Sequence, residues 1–313
     1  MSDDSSESGA GDASGVDAGA GDGTGDGVGA TDEASESDES GVLADTATRA
    51  VAAAGEYLRD RFHDGATEAD YTATDVKTAA DHEAESRILS VLRDAHPEHA
   101  VSTEESGEYD GRGHRWVVDP LDGTNNFAAG IPTFGVAVTA REYPGGVTAE
   151  GPVGESATGD PVATAVAVPV LEDCYVATRD GGARYNGTPI DVSDGDSVTT
   201  EKATVGMFIG PEVVSGGREK REWEAISRSV EDVTKRAIQT WAPVVYYGLF
   251  ARGKLDGFVC YYPAEREQAA GELLAREAGA LRRADGPLLV FADDSRTLDG
   301  LWDAAVDGLE DVE

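Results

Sequence analysis

The sequence predicts a layered αβ fold behind a disordered acidic tail, and three observations carry that reading. Short apolar runs of strand length alternate with stretches of helical period, a pattern that buries one face of each element against a neighbouring layer. Composition changes near residue 42, from Ser, Gly, Asp, Glu, Ala and Thr to a chain rich in aliphatic residues. With 313 residues and 40% hydrophobic content, the chain can bury one large core or two smaller ones without disulfides.

Residues 1–41 hold only Val16 and Val28 as larger aliphatic residues after Met1, too little to offset chain entropy, so they are expected to be a disordered acidic tail. Leu43, Ala47, Ala50, Val51, Ala54 and Leu58 then mark one face of a helix ending near Phe62. A second helix follows Asp81, with Ala84, Ile88, Leu89 and Leu92 inward and His96-Pro97 as its stop. Trp116-Val117-Val118 reads as a buried strand closed by Asp119-Pro120. Residues 135–140, 163–170 and 174–177 read as further strands, with Gly181-Gly182 and Asn186-Gly187 supplying turns. The acidic, Gly-rich stretch 141–161 is a loop or ragged hairpin. Beyond Thr200 come a strand at 203–208, helices from Arg218 to about Val230 and over 244–251, and an extended run at 256–260. A helix over 268–278, capped by Gly279, and a final extended run at 288–290 complete the pattern.

A formal net charge of −36 repels DNA, RNA and anionic lipid, so neither a nucleic-acid nor a membrane partner is expected. Few lysines among many carboxylates suit a halophilic setting, where salt screens like charges. No apolar stretch reaches bilayer length, and the N-terminus lacks the basic-then-apolar order of an export signal. Cys174 and Cys260 stand far apart without His or Cys neighbours, which suggests neither a disulfide nor zinc and fits a reduced cytoplasmic setting.

In so acidic a chain a carboxylate pair is ordinarily solvated surface, so a site must be justified by what frames it. Asp119-Pro120-Leu121-Asp122-Gly123-Thr124-Asn125-Asn126-Phe127 is framed in that way. Pro120 fixes the turn, letting the side chains of Asp119 and Asp122 and the Leu121 carbonyl converge on one point. Hard oxygen donors of this kind suit Mg2+. Gly123 admits close backbone approach, and Thr124 with the amides after it can meet a phosphate. The bland reading, a turn with a helix cap, does not account for the strand, proline, paired aspartates and Gly-Thr cap occurring in this order.

This segment resembles the inositol monophosphatase superfamily, which also contains archaeal fructose-1,6-bisphosphatases and phosphoadenosine-phosphate phosphatases. The resemblance extends from about Leu43 to about Ala305. It includes Gly181-Gly182-Ala183-Arg184-Tyr185-Asn186-Gly187, similar to the family's Gly-Gly-Ala-x-x-Asn-Gly hairpin, and Ala269-Ala270-Gly271 followed by Arg276-Glu277-Ala278-Gly279. It implies an α+β sandwich of αβαβα type. Residues 42–195 would form a metal- and phosphate-binding subdomain, and 196–313 a second one completing the site. The implied activity is that of a Mg2+-dependent phosphoric monoester hydrolase, with two or three Mg2+ per site, acting on a small-molecule phosphate ester such as inositol monophosphate or fructose 1,6-bisphosphate. A homodimer is implied as well.

Carried over by position, Asp119, Leu121, Asp122, Glu104 and Glu267 are the expected metal ligands, with Asp81 at an outer metal. Glu104 and Thr124 would orient the attacking water, and Asp122, Gly123, Thr124 and Glu267 would meet substrate. Unaided, Glu104 is one of a surface run. Asp81 reads equally as a helix N-cap, and the two roles are compatible. Three departures stand out. Arg266-Glu267 replaces the family's Trp-Asp, so Glu267 could bind metal, reach water and leave a second metal weak, or be an ordinary first-turn carboxylate. Cys260 stands where inositol-specific members often place a glutamate, and Trp241-Ala242-Pro243 replaces Gly-Ser-Ala. Cys260 has no basic neighbour in sequence and reads as a packed residue. These changes leave the phosphate end intact and alter the sugar end. The competing reading is a catalytically weakened family member that acts as a metal- or phosphate-binding or regulatory protein.

Overall fold

The computed structural model describes residues 29–65, 69–71, 76–142, 147–148, 151–152, 159–195, 198–213 and 216–312. The chain runs from α1 (Gly29–His63) through the ribbon β1 (Ala69–Tyr71) and β2 (Val76–Thr78) into α2 (Ala79–Ala95). Next come β3 (Ala100–Thr103), β4 (Glu108–Tyr109), β5 (His114–Asp122), the short α3 (Thr124–Ala128) and β6 (Gly135–Glu142). A second ribbon, β7 (Val147–Thr148) and β8 (Gly151–Pro152), precedes β9 (Asp160–Val168), β10 (Asp173–Thr178), β11 (Gly182–Tyr185) and β12 (Thr188–Ile190). The second half alternates β13 (Thr204–Ile209), α4 (Arg218–Val233), β14 (Arg236–Gln239), α5 (Pro243–Ala251), β15 (Gly257–Tyr261) and α6 (Glu265–Glu277). It closes with β16 (Leu281–Asp285), β17 (Leu288–Ala292) and α7 (Ser295–Glu310).

Two sheets result. One has eight strands in the order β12-β11-β10-β9-β6-β5-β3-β4, the other five in the order β14-β13-β15-β17-β16. Three apolar clusters show how they stack. The first joins Leu43, Val51 and Leu58 of α1 and Ile88 and Leu92 of α2 to Trp116, Val118 and Val138 on one face of the large sheet. The second joins the other face, through Val166 and Tyr175, to Tyr247 of α5, Leu273 and Leu274 of α6, and Phe258 and Phe291 of the small sheet. The third covers the far face of the small sheet, where Val205, Val259 and Val290 meet Trp223 and Ile226 of α4 and Leu301 and Ala305 of α7. Helices, sheet, helices, sheet, helices: the fold is the αβαβα sandwich, each element burying one face as its period requires. Gly271 permits the middle layer, since a Cβ there would overlap the Tyr247 ring.

All six residues expected on the first helix face are buried. The helix itself begins at Gly29, so the boundary expected after residue 41 falls inside α1. Once packing from Leu43 onward fixes the helix, each added residue gains a backbone bond at little further cost, and Ala and Glu propagate it well. The rest of the expected tail, residues 1–28, lies outside the described residues. Stretch 141–161 matches its hairpin reading where it is described, in β7 pairing with β8. The sequence reading did not include β14, β16 or α7. Among the described residues, no helix is long and apolar enough to cross a membrane.

Candidate functional site

In a regular strand Asp119 and Asp122, three positions apart, would point to opposite faces. Against β6 the register runs Asp119 to Ala137 and then Asp122 to Gly135, three steps on β5 against two on its partner. That is a bulge, placed where Pro120 has no N–H to give the ladder. The extra residue restores both aspartates to one side, and oxygens of Asp119, Asp122 and Glu267 come within 4.8 Å of one another. The strand expected to close at Asp119-Pro120 therefore continues, bulged, to Asp122.

A cavity of about 100 Å³ opens on this group. Glu104, Leu121, Gly123 and Thr124 line it together with the three carboxylates. Its remaining wall includes Phe208, Ile209 and Pro211 at the end of β13, and Trp241 and Pro243 before and at the start of α5. Gly123 has φ of 88°, and a Cβ there would lie 2.8 Å from the Cβ of Ala242. Only glycine fits that junction. The two glutamates after Thr103 part company. Glu104 lines the cavity, whereas Glu105 turns to His82, its Oε2 3.5 Å from His82 Nε2, and its N–H donates to Glu85 at 2.9 Å.

Hydrogen bonds fix the floor. Val244 N–H donates to Asp122 Oδ2 at 2.8 Å, and Leu121 N–H to Asp119 Oδ1 at 3.2 Å. The Thr124 hydroxyl lies 3.0 Å from the Leu121 carbonyl and 3.2 Å from Asp81 Oδ1. Asp81 is not the helix N-cap. Thr78 is, and Asp81 closes a capping box as the third residue of α2. The carboxylate thus stands behind Thr124, outside the Asp119–Asp122–Glu267 group.

The cleft concentrates negative charge. Burial, then the neighbouring carboxylates, holds Asp119 well above the ordinary aspartate range, with Arg266 opposing. Burial and Glu267 do the same to Asp122, against the Val244 N–H. Burial also raises Glu267 and Asp81. Glu104 shows surface to solvent, yet crowding by protein and the surrounding acids pushes it up to about 7. Burial sets the direction of that shift, Arg266 opposes it, and Glu105, Asp81 and Glu267 add to it. Glu267 Oε2 is buried with no hydrogen-bond partner among the described residues. Carboxylates so arranged must be protonated or hold a cation, and an all-oxygen donor set fits a hard divalent ion such as Mg2+.

Beside them, Arg266 Nη2 donates to the Thr103 carbonyl at 3.4 Å, while its Nε is buried without a partner among the described residues. Cys260 is buried, with Sγ 3.3 Å from the Tyr247 hydroxyl, and burial pushes its thiol up to about 12. It is a packed group, as expected. The other two motifs meet as scaffold, Gly182 N–H donating to Glu277 Oε2 at 3.2 Å. Sequence reasoning missed Phe208, Ile209 and Pro211. The available signal was an apolar strand ending at Gly210-Pro211, since ligands gather at the carboxyl ends of parallel strands, and β13 is parallel to both its neighbours.

The inositol monophosphatase family model matches residues 41–298. The Nus factor SuhB of Pseudomonas aeruginosa is 32% identical over 213 residues, covering 67% of this chain and 72% of that protein. The Nus factor SuhB of Escherichia coli K12 is 29% identical over 240 residues, 75% and 82% of the two chains. Among solved structures, an inositol monophosphatase from Anabaena superposes with a TM-score of 0.69 at 22% identity, covering 85% of this chain and 96% of that one. An extragenic suppressor protein SuhB from Bartonella henselae gives 0.70 at 24% identity, covering 85% and 98%. By sequence and by fold, the chain belongs to the inositol monophosphatase family.

Proposed function

We propose that the chain is a cytoplasmic Mg2+-dependent phosphomonoesterase that hydrolyses a small polyol or sugar phosphate, of the inositol monophosphate or fructose 1,6-bisphosphate kind. The observation behind this is the convergence of Asp119, Asp122 and Glu267 oxygens within 4.8 Å on a cavity that Glu104 and Thr124 also line. Bound Mg2+ ions, two or three per site, would lower the pKa of a coordinated water and stabilise the leaving alkoxide. Asp119, Asp122, Glu267 and the Leu121 carbonyl are the donors that would hold them, with Glu104 at the mouth and Asp81 outermost. Glu104, shifted to about 7, is suited to hold the proton of the attacking water. The Thr124 hydroxyl orients that water, and the Gly123 backbone gives the phosphate room. Residues 42–195 supply most donors; residues 196–313 add Glu267 and the wall facing the alcohol.

Phosphate release from both esters, with Mg2+ and with chelator, at several salt concentrations, tests the reading. Mg2+-dependent release that Asp122→Asn abolishes is the expected result; no release by the wild-type chain, or release surviving that substitution, would sink it.

A second reading draws on the relatives named Nus factor and on Arg266-Glu267 in place of Trp-Asp. The chain then binds metal without turning over and acts by contact, through protein rather than nucleic acid, since a charge of −36 repels a polyanion. Mg2+ binding without phosphate release from any small ester would favour it.

A further inference from the structure

Three of the chain's five histidines gather at one corner of the fold, outside the residues assigned to the cleft. His96 follows α2, Glu98 and His99 lie in the turn to β3, and His114 opens β5. One ligand atom each from His96, Glu98 and His99 lie within 4.8 Å of one another. The His114 ring stands 5.2 Å from that of His99. We propose that this corner binds one first-row transition-metal ion of the Zn2+, Cu2+ or Ni2+ class, held by His96, Glu98 and His99 with His114 in reach.

One orphaned atom points to an occupant: His99, its side chain 9% exposed, has a buried Nδ1 with no partner among the described residues. A buried polar atom without a partner is costly and uncommon. Imidazole donors choose the occupant, favouring zinc, copper or nickel over magnesium. Burial and the adjoining histidines push His99 down to about 4, leaving a neutral ring with a free lone pair at neutral pH. Glu39 of α1 lies 3.8 Å from His114 Nδ1, the kind of carboxylate partner that orients a ligating histidine.

The His96 and His99 rings stack, 4.5 Å apart and 11° from parallel. A metal lies in the plane of an imidazole, so one ring must turn about χ2, a broad and soft torsion. His99 surrenders no bond at Nδ1, though its Nε2 lies 3.5 Å from Glu98 Oε1, and His96 surrenders a 3.3 Å contact with Thr46 Oγ1. Such an ion would tie α1, the end of α2, β3 and β5 together. It would do so independently of the phosphatase reading.

The test uses the full chain saturated with Mg2+, titrated with Cu2+ and followed by electron paramagnetic resonance. The expected result is one equivalent of Cu2+ with nitrogen couplings from at least two imidazoles, persisting in Asp122→Asn and so not in the cleft. His96→Phe keeps the aromatic stack and should weaken binding about tenfold or more. Oxygen-only ligation in the wild-type chain would overturn the proposal whatever the variants do. So would equal affinity in a folded His96→Phe, or a Zn2+-soaked crystal showing only an ordered water between the rings.

Discussion

Thr124 Oγ1 lies 3.2 Å from Asp81 Oδ1 across 43 positions of sequence. The other oxygen of Asp81 is held at 2.7 Å by both the N–H and the hydroxyl of Thr78. One carboxylate therefore fastens the start of α2 and leaves a lone pair for the residue assigned to orient water.

Asp81→Ala should lose both functions. Removing the capping box costs about 1 kcal/mol, and freeing Thr124 lowers turnover beyond what that loss of stability explains. Asp81→Asn can still accept from Thr78, so its melting temperature should stay near wild type while half-maximal phosphate release needs more Mg2+. Equal Mg2+ dependence in Asp81→Asn and wild type would remove Asp81 from the metal environment.

Glu267 decides between the two functional readings. Its Oε2 is buried and unpartnered among the described residues, within ligand distance of Asp119 and Asp122. Glu267→Asp should hold or raise activity. Glu267→Gln should weaken Mg2+ binding while stabilising the metal-free protein, because one of several crowded negative charges is gone. Calorimetric Mg2+ titration and thermal melts without metal read both effects, and a Gln variant matching wild type in both would make Glu267 an ordinary helix carboxylate.

Arg266 offers a charge the family's tryptophan would not. It opposes the upward shifts of Glu104, Asp119 and Glu267, so it competes with any cation for their field. Arg266→Gln should tighten Mg2+ binding by about tenfold, the scale of one unit charge acting at short range through a partly solvated site. It should also lower the melting temperature of the metal-free chain. Weaker Mg2+ binding in this variant would mean that its bond to the Thr103 carbonyl matters more than its charge.

Much of this was legible in the chain. The face from Leu43 to Leu58 is long and regular enough to declare a helix, and Asp119 to Thr124 carry their chemistry in order. What escaped had a physical cause. The strand β16, Leu281–Asp285, is exposed throughout, so no apolar alternation marks it, and β14 is a four-residue edge strand. The helix α7 did carry an apolar face in Leu298, Leu301, Trp302 and Ala305 that reading by period could have found. The cavity wall from Phe208 to Pro211 depends on where a strand ends in space, which local pattern does not encode. For Asp81, sequence showed a carboxylate opening a helix, but not that Thr78 takes the cap and leaves Asp81 to face Thr124.

The crowded acids also set a pH dependence whose sign can be worked out. Glu104 rises from 4.5 to about 7 on folding, and Asp119, Asp122 and Glu267 rise as well. Between pH 4.5 and about 7 the metal-free folded chain therefore binds more protons than the unfolded one, so its stability falls as pH rises through that window. Saturating Mg2+ reverses the balance, since protons then compete with the ion and binding strengthens as the carboxylates ionise. The melting temperature without metal should be higher at pH 5 than at pH 8, and the gain on adding Mg2+ should be larger at pH 8. General repulsion in a chain of charge −36 acts in the same direction without metal, so Glu104→Gln is the control: it should flatten the metal-free profile while barely changing net charge. A profile as steep in Glu104→Gln as in wild type would assign the effect to the surface and not to the cleft.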